Sequence, residues 1–413
     1  MKLFACCVLV LALLVALPAA AQTPIKDLDT LQFAVGTLER DGAQVPAGTV
    51  QLVPGHTGQA NQFTFVADAH NGFFTTTLKP TPEWDRAAGL SFWVKGDGSS
   101  SWGGVEVIAD DDFTKRYAFC FPVDSTAWRK LAVPWSDLIP ETGTAPAISP
   151  TGTVKPSSLR YLWFGKWYYW RDYPAESYAV DELALEASIP VDQTDYTPSR
   201  RGTPRLHARL ETKEPVTLVT VGDSLSDKRH WANREVLWSE VLVKSLEQQC
   251  GGKVTLVNPA IGGTQLTHGL IVAPRWLKDH PAPDLITLWY GYNDHDNGTT
   301  PELFKERLRF AVDYLRRLTK GKSEIVLLTT APAVGRWTEM EGLAQAARDV
   351  AKEKRTGLAD VAAAFHHVGD QDETAKQGLF CRDEVHLGPA GHALAAEVVA
   401  RALAGPPAGS PGH

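Results

Sequence analysis

Cysteine is scarce in this sequence: of the five among 413 residues, Cys6 and Cys7 sit in an N-terminal apolar run, and only Cys120, Cys250 and Cys381 follow it. An odd number of thiols argues against a disulfide framework even in an oxidising compartment, although one bridge stays open. Long apolar runs are missing after residue 21, so no later segment reaches the roughly 20 residues that a spanning helix needs. The formal charge is -7 with Lys and Arg scattered, which leaves no basic stripe for nucleic acid and no polybasic membrane patch. Neither G-x-G-x-x-G nor a Walker-type loop follows any strand, so a dinucleotide or phosphate cradle is not expected. No convergent ligand set for zinc or calcium is present either. The pairs His295-Asp296 and His366-His367 read as exposed loop residues, and His392 as a surface or packing histidine. No cofactor and no metal are expected.

What is present begins with a leader. Lys2 precedes an apolar run from Leu3 to Leu17, and Pro18-Ala19-Ala20-Ala21-Gln22 supplies a small-x-small cleavage site. Residues 1–21 read as a signal peptide cut after Ala21, and the remainder as exported, to the periplasm or outside the cell. The 392 residues after Ala21 exceed one ordinary domain.

Two halves follow with different grammar. From about Thr30 to Ala187 the chain is written in short alternating runs such as NQFTFVAD, GLSFWVKGD, RYAFCFPVD and YAVDELALEA, separated by Gly, Pro, Asp and Ser. That pattern predicts an all-β sandwich over 26–188. Trp102, Trp128, Trp135 and Trp163 are expected mostly to fill its core, with sugar stacking the alternative. Trp167-Tyr168-Tyr169-Trp170 cannot all point inward from one strand. Asp181 reads as a solvated carboxylate rather than a calcium ligand. Residues 189–214, rich in Pro, Thr and charge, read as a linker.

From 215 to 405 strands alternate with helices. Strands are expected at 216–221, 254–257, 285–289, 324–329 and 357–360, and helices at 233–249, 301–318, 339–353 and 389–403, before a tail at 406–413. Such alternation predicts a parallel sheet with helices on both faces, its site at the carboxyl strand ends. The sequence at those ends is Gly222-Asp223-Ser224-Leu225, then Asn258-Pro259-Ala260-Ile261-Gly262-Gly263-Thr264, then Gly291-Tyr292-Asn293-Asp294, with Asp383-Glu384-Val385-His386 before the closing helix.

These four blocks, in this order, resemble those of the SGNH or GDSL-type hydrolases. The resemblance spans roughly Val216 to Leu403 and implies a three-layer α/β/α fold and ester hydrolysis. Ser224 is then the nucleophile, His386 its base, since imidazole titrates near about pH 6.5, and Asp383 the group that orients the imidazole. The backbone N–H of Ser224, that of Gly263 and the amide of Asn293 are the implied oxyanion donors. Family spacing from Asn258 favours Gly263 over Gly262. Asp223 reads as a turn former and Asp294 as structural. The first half resembles the jelly-roll modules of secreted carbohydrate-active enzymes. Together these resemblances imply a carbohydrate O-acetylesterase with an acetylated glycan as partner; a general short-chain or lipolytic esterase and an inactive glycan-binding protein are the alternatives. The sequence assigns no substrate-binding residue and no oligomeric state.

Overall fold

Side-chain alternation decides the first half of the chain. In the strand Gly89–Gly96, Leu90, Phe92 and Val94 are buried to 1% or less exposure, while Trp93 and Lys95 point to the opposite face, as a two-residue period requires. The computed structural model describes residues 22–25, 32–40, 43–46, 48–67, 73–166 and 174–404. The expected leader, the aromatic run 167–170 and the tail lie outside the described residues.

Two antiparallel sheets form a sandwich. One runs in the order Arg129–Pro134, Gly89–Gly96, Glu176–Glu186, Gln59–Phe65, Gly48–Pro54, with Gln22–Pro24 on the end of Glu176–Glu186. The other runs Ile139–Pro140, Arg116–Pro122, Trp102–Ala109, Leu159–Lys166, Phe73–Thr77, Ala34–Val35. Between them lies a core of phenylalanines, in which Phe63 approaches Phe74 at 4.9 Å and Phe164 at 5.4 Å between ring centroids. The four tryptophans expected in this core behave differently. Of them, only Trp135 joins it; Trp128 and Trp163 are half-buried; and Trp102 is buried on the opposite face of its sheet, among residues of the second half. Asp181 is buried and accepts from the backbone N–H groups of His56 and Thr57 at 2.7 and 3.0 Å, closing a turn rather than lying in solvent.

The second half is a five-stranded parallel sheet in the order Val254–Val257, Val216–Gly222, Leu285–Trp289, Glu324–Leu328, Gly357–Ala359. Apolar clusters lie on both of its faces. Helices Leu266–Ile271, Ala273–Asp279, Pro301–Leu318 and Glu341–Glu353 cover one, and Pro204–Glu211, Trp238–Cys250, Val361–Gly369 and Pro389–Leu403 the other. Thr300 caps Pro301–Leu318 by accepting from Leu303 N–H. The segment expected to be a linker contains the helix Pro204–Glu211, whose Leu206 and Leu210 enter the apolar cluster and whose first N–H groups donate to Glu324. The helix expected from residue 233 begins at Trp238, because Asn233 is held in a short turn below the sheet edge.

The two halves share a packed interface. Trp102, Ala118, Cys120 and Ile139, on the outer face of the second sandwich sheet, cluster with Ile261, Leu266, Leu270, Ile271, Val272, Ala273, Trp276 and Leu277. Cys120 Sγ lies 2.9 Å from the Ile271 carbonyl, and burial pushes its thiol up to about 12. All three described cysteines are free. Ion pairs Lys278–Asp124 and Arg317–Asp137 rim the contact.

Glu176 is 3% exposed, and burial pushes its carboxyl up to about 8 against the opposing charge of Lys166. A folded-state pKa above the unfolded one stabilises at low pH, and that contribution is lost as pH rises from about 4.5 through about 8. Glu176→Gln should therefore lose less unfolding free energy between pH 5 and pH 9 than the parent chain, by on the order of a few kcal/mol. Urea titrations at the two pH values measure the difference; equal losses would contradict it.

Candidate active site

Ser224 follows the strand Val216–Gly222 on a tight turn. Asp223 builds that turn by accepting from Leu225 N–H at 3.0 Å through its side chain and from Ser226 and Asp227 N–H through its carbonyl. Asn233, fully buried, donates to the carbonyls of Ser224 and Asp227 at 2.6 Å each and fixes the turn from below.

His386 arrives from the other end of the chain. Its loop is pinned by Cys381 N–H donating to His386 O, a bridge between Phe380 and Leu387, and Val334 N–H donating to Glu384 O. Glu384 has a φ of 61°, which turns the chain sharply enough to set Asp383 against His386. Asp383 Oδ2 stands 2.6 Å from His386 Nδ1, and its Oδ1 accepts from His386 N–H at 3.1 Å. His386 Nε2 stands 2.9 Å from Ser224 Oγ. Burial works to raise the Asp383 pKa, but the hydrogen bonds from the His386 ring and from the His386 and Val385 amides outweigh it and hold the carboxyl below its ordinary value. An ionised carboxylate only accepts, so His386 carries its proton on Nδ1 and presents a bare Nε2 to the serine hydroxyl.

The remaining blocks converge on the same place. Ile261 N–H donates to Gly222 O at 3.1 Å, which brings the 258–264 loop beside the serine strand. Gly262 N–H is occupied by Asp227 Oδ2 at 2.9 Å, whereas the N–H groups of Ser224 and of Gly263, whose φ is 76°, meet no acceptor among the described residues. Asn293 Nδ2 donates to Thr264 O at 3.1 Å and lies 3.4 Å from Asp223 Oδ2. Asp294 accepts from Leu266 N–H at 3.2 Å. Burial pushes both Asp223 and Asp294 up to about 7.

Two neighbours carry no signal in the sequence. The His230 ring stacks on His386 with centroids 4.1 Å apart and planes at 27°, and Trp231, 45% exposed, presents its ring to His386 at 5.9 Å. Among the described residues no cluster of His, Cys, Asp and Glu is arranged to hold a metal. The two histidine pairs lie on helices rather than loops: His295 in Tyr292–Asp296, and His366 in Val361–Gly369, where it meets Asp370 at 3.2 Å. His392 is buried and accepts from Trp238 N–H at 3.2 Å.

Residues 220–394 match the model of the GDSL-like Lipase/Acylhydrolase family, and residues 18–155 match that of the Carbohydrate binding domain (family 11). Among curated proteins none matches. An acetyl xylan esterase of Geobacillus stearothermophilus, solved as a single-residue variant, is 21% identical over 46% of this chain and 94% of its own, with a TM-score of 0.38. The family 11 carbohydrate-binding module of Clostridium thermocellum, solved with a β-1,3-1,4-mixed-linked tetrasaccharide, is 17% identical over 41% of this chain and 98% of its own, with a TM-score of 0.32. Protein YXIM of Bacillus subtilis is 15% identical over 90% of this chain and 89% of its own, with a TM-score of 0.40.

Gly291 has a φ of 136°, and a Cβ there would run into the Thr330 side chain. Gly291→Ala should destabilise the protein by more than about 1 to 3 kcal/mol, strain and overpacking acting together. Chemical denaturation measures this; a loss under about 0.5 kcal/mol, the range of a neutral surface change, would contradict it.

Proposed function

We propose that this chain, with a GDSL-like lipase/acylhydrolase domain over residues 220–394 and a family 11 carbohydrate-binding domain over 18–155, is an exported serine esterase that removes acetyl groups from a glycan. One observation carries the reading: the relay from Asp383 through His386 to Ser224, with contacts of 2.6 and 2.9 Å, beside two unengaged backbone N–H groups.

In the reaction, Ser224 Oγ bonds to the ester carbonyl carbon as its proton passes to His386 Nε2. The carbonyl π pair moves onto oxygen, where the N–H groups of Ser224 and Gly263 and the amide of Asn293 receive the charge. Asp383 stays ionised and stabilises the imidazolium. Collapse breaks the bond to the sugar oxygen, which leaves with the proton from His386. Water then adds to the acetyl-serine by the same route and releases acetate.

The glycan reading draws support from a cleft of about 420 Å³ beside the serine turn, with one wall from each half. Ser100 and Trp102 contribute from the sandwich, and Asp227, Arg229, Ala260 and Trp276 from the α/β half. Gly262 links this cleft to the nucleophile: a Cβ there would stand 3.5 Å from Ser224 Cβ and 3.7 Å from Asp227 Oδ2. The rings of His230 and Trp231 stand 4.1 and 5.9 Å from that of His386, and the space they take up beside it suits a small acyl group. Among the described residues no helix is long and apolar enough to cross a membrane.

Acetate release from acetylated xylan and mannan tests the assignment. Ser224→Ala should abolish it, Asp383→Asn should lower kcat by about 10⁴-fold and Asn293→Ala by about 10² to 10³-fold. Chromogenic esters longer than about four carbons should react poorly, each methylene changing discrimination by about 1 to 3 kcal/mol. Undiminished turnover by Ser224→Ala, or preference for long acyl chains, would overturn the proposal.

A further inference from the structure

The sandwich reaches past the shared apolar interface and touches the loop that bears Gly263. Its segment 141–145 lies against the block from Gln265 to His268. Gly143 N–H donates to Gln265 Oε1 at 2.9 Å. Glu141 O receives the Thr267 hydroxyl at 3.4 Å and a hydrogen bond from the His268 side chain. His268 Nδ1 in turn accepts from Gln265 N–H at 3.1 Å. Arg307, on the helix Pro301–Leu318, holds the segment from the other side by donating to the carbonyls of Gly143 and Ala145.

The contact is close and buried. Gln265, Thr267 and Thr299 are each 6% exposed or less. A Cβ on Gly143 would stand 2.7 Å from both Gln265 Oε1 and Thr299 Oγ1 and 3.8 Å from Asp294 Oδ1. A side chain there would push Gln265 or Thr299 aside, so glycine suits this approach whatever its backbone angles. From here two covalent steps lead to the reacting centre. Gln265 follows Thr264, whose carbonyl holds the Asn293 amide at 3.1 Å. Asp294, which follows Asn293, is tied by its carboxylate to Leu266 N–H. The turn of Gly263 thus ends on Gln265, which the sandwich segment holds, and the turn of Asn293 is tied to Leu266 beside it.

We infer that the segment 141–145 of the sandwich, acting through Gln265, is a positioning element that aligns Gly263 and Asn293 for ester hydrolysis. This rests on the esterase reading above. The sandwich is then part of the catalytic apparatus as well as a neighbour of it. Neither Gly143 nor Gln265 touches the reacting atoms; both act through the turns they hold, and oxyanion donors lose their value when displaced by about 1 Å.

The experiment is a double-variant cycle on the full chain with p-nitrophenyl acetate as substrate. Gln265→Met, which keeps the shape and removes the acceptor, should lower kcat by about 10-fold with KM changed less than 2-fold. Gly143→Ala should do the same from the sandwich side. In the Asn293→Ala background the effect of Gln265→Met should shrink to less than 3-fold, because residues acting as one unit are not additive. Unchanged kcat in Gln265→Met and Gly143→Ala, each folded by circular dichroism, overturns this inference alone. Full additivity with Asn293→Ala overturns the joint alignment of Gly263 and Asn293, by showing that Gln265 does not act through Asn293. A parent chain that hydrolyses no ester at all overturns the esterase reading and this inference with it.

Discussion

Burial of one face of the second sandwich sheet against the helices Leu266–Ile271 and Ala273–Asp279 is the constraint on which the rest of the structure depends. Trp102, Ala118, Cys120 and Ile139 are all 7% exposed or less there, and fully burying a large apolar side chain stabilises by about 1.5 to 3 kcal/mol. Two modules joined only by residues 189–203 would move independently if their contact were small and polar. Here the contact is apolar at its centre and ion-paired at its rim, so the halves are fixed in one arrangement. Polar groups that this arrangement buries favour partners. Arg116 accordingly stands between Glu141 at 2.8 Å and Glu106 at 3.6 Å, and Gln265 and His268 meet the backbone of 141–143. The hydrogen bonds that reach the loop bearing Gly263 are thus a consequence of packing a sheet face that alternation alone left apolar.

Three aspartates near the serine show how environment divides one side chain into different roles. Asp383 receives three hydrogen bonds and is held below its ordinary pKa, so it is charged where a neighbouring imidazolium would form. Asp223 and Asp294 are buried, and are pushed up to about 7 because desolvation outweighs the backbone hydrogen bonds that lower them. Each accepts from a backbone N–H group, Leu225 and Leu266 respectively, that sets a turn around the site, and Asp223 also faces the Asn293 amide. Adjacent positions in the sequence blocks therefore differ in kind: Ser224 meets the His386 ring, while Asp223 and Asp294 hold the backbone of the turns beside it.

Much of this is legible in the sequence because strand ends in a parallel sheet leave a period and a stop. The strands Val254–Val257 and Leu285–Trp289 and the helices Pro301–Leu318 and Pro389–Leu403 coincide with expectation, since each combines a clear apolar pattern with a Pro, Thr or Gly boundary. Helices of five to seven residues, such as Tyr292–Asp296, Leu266–Ile271 and Ala273–Asp279, leave no such mark, being too short to complete an amphipathic period. The start of Trp238–Cys250 departs from expectation because Asn233, which has ordinary helix-region neighbours in sequence, serves the serine turn instead. His230 and Trp231 are invisible for a different reason: no pattern marks a ring that will stack on another from 156 residues away.

The tryptophans mark the deepest limit of reading by alternation. A two-residue period says which residues share a face of a strand; it does not say what covers that face. Trp102 obeys the period, lying opposite Val105 and Val107 across the sheet, yet its contacts come from a segment that begins about 160 residues later. An isolated sandwich would leave Trp102, Cys120 and Ile139 in solvent, and such a patch on an aromatic-rich module invites a sugar-binding interpretation. In the assembled chain that area is spent on the second half, and Trp102 borders the cleft that Asp227, Ala260 and Trp276 also line. The cleft that this part of the sandwich borders is therefore walled by the α/β half as well, and the same buried face sets the two walls against each other.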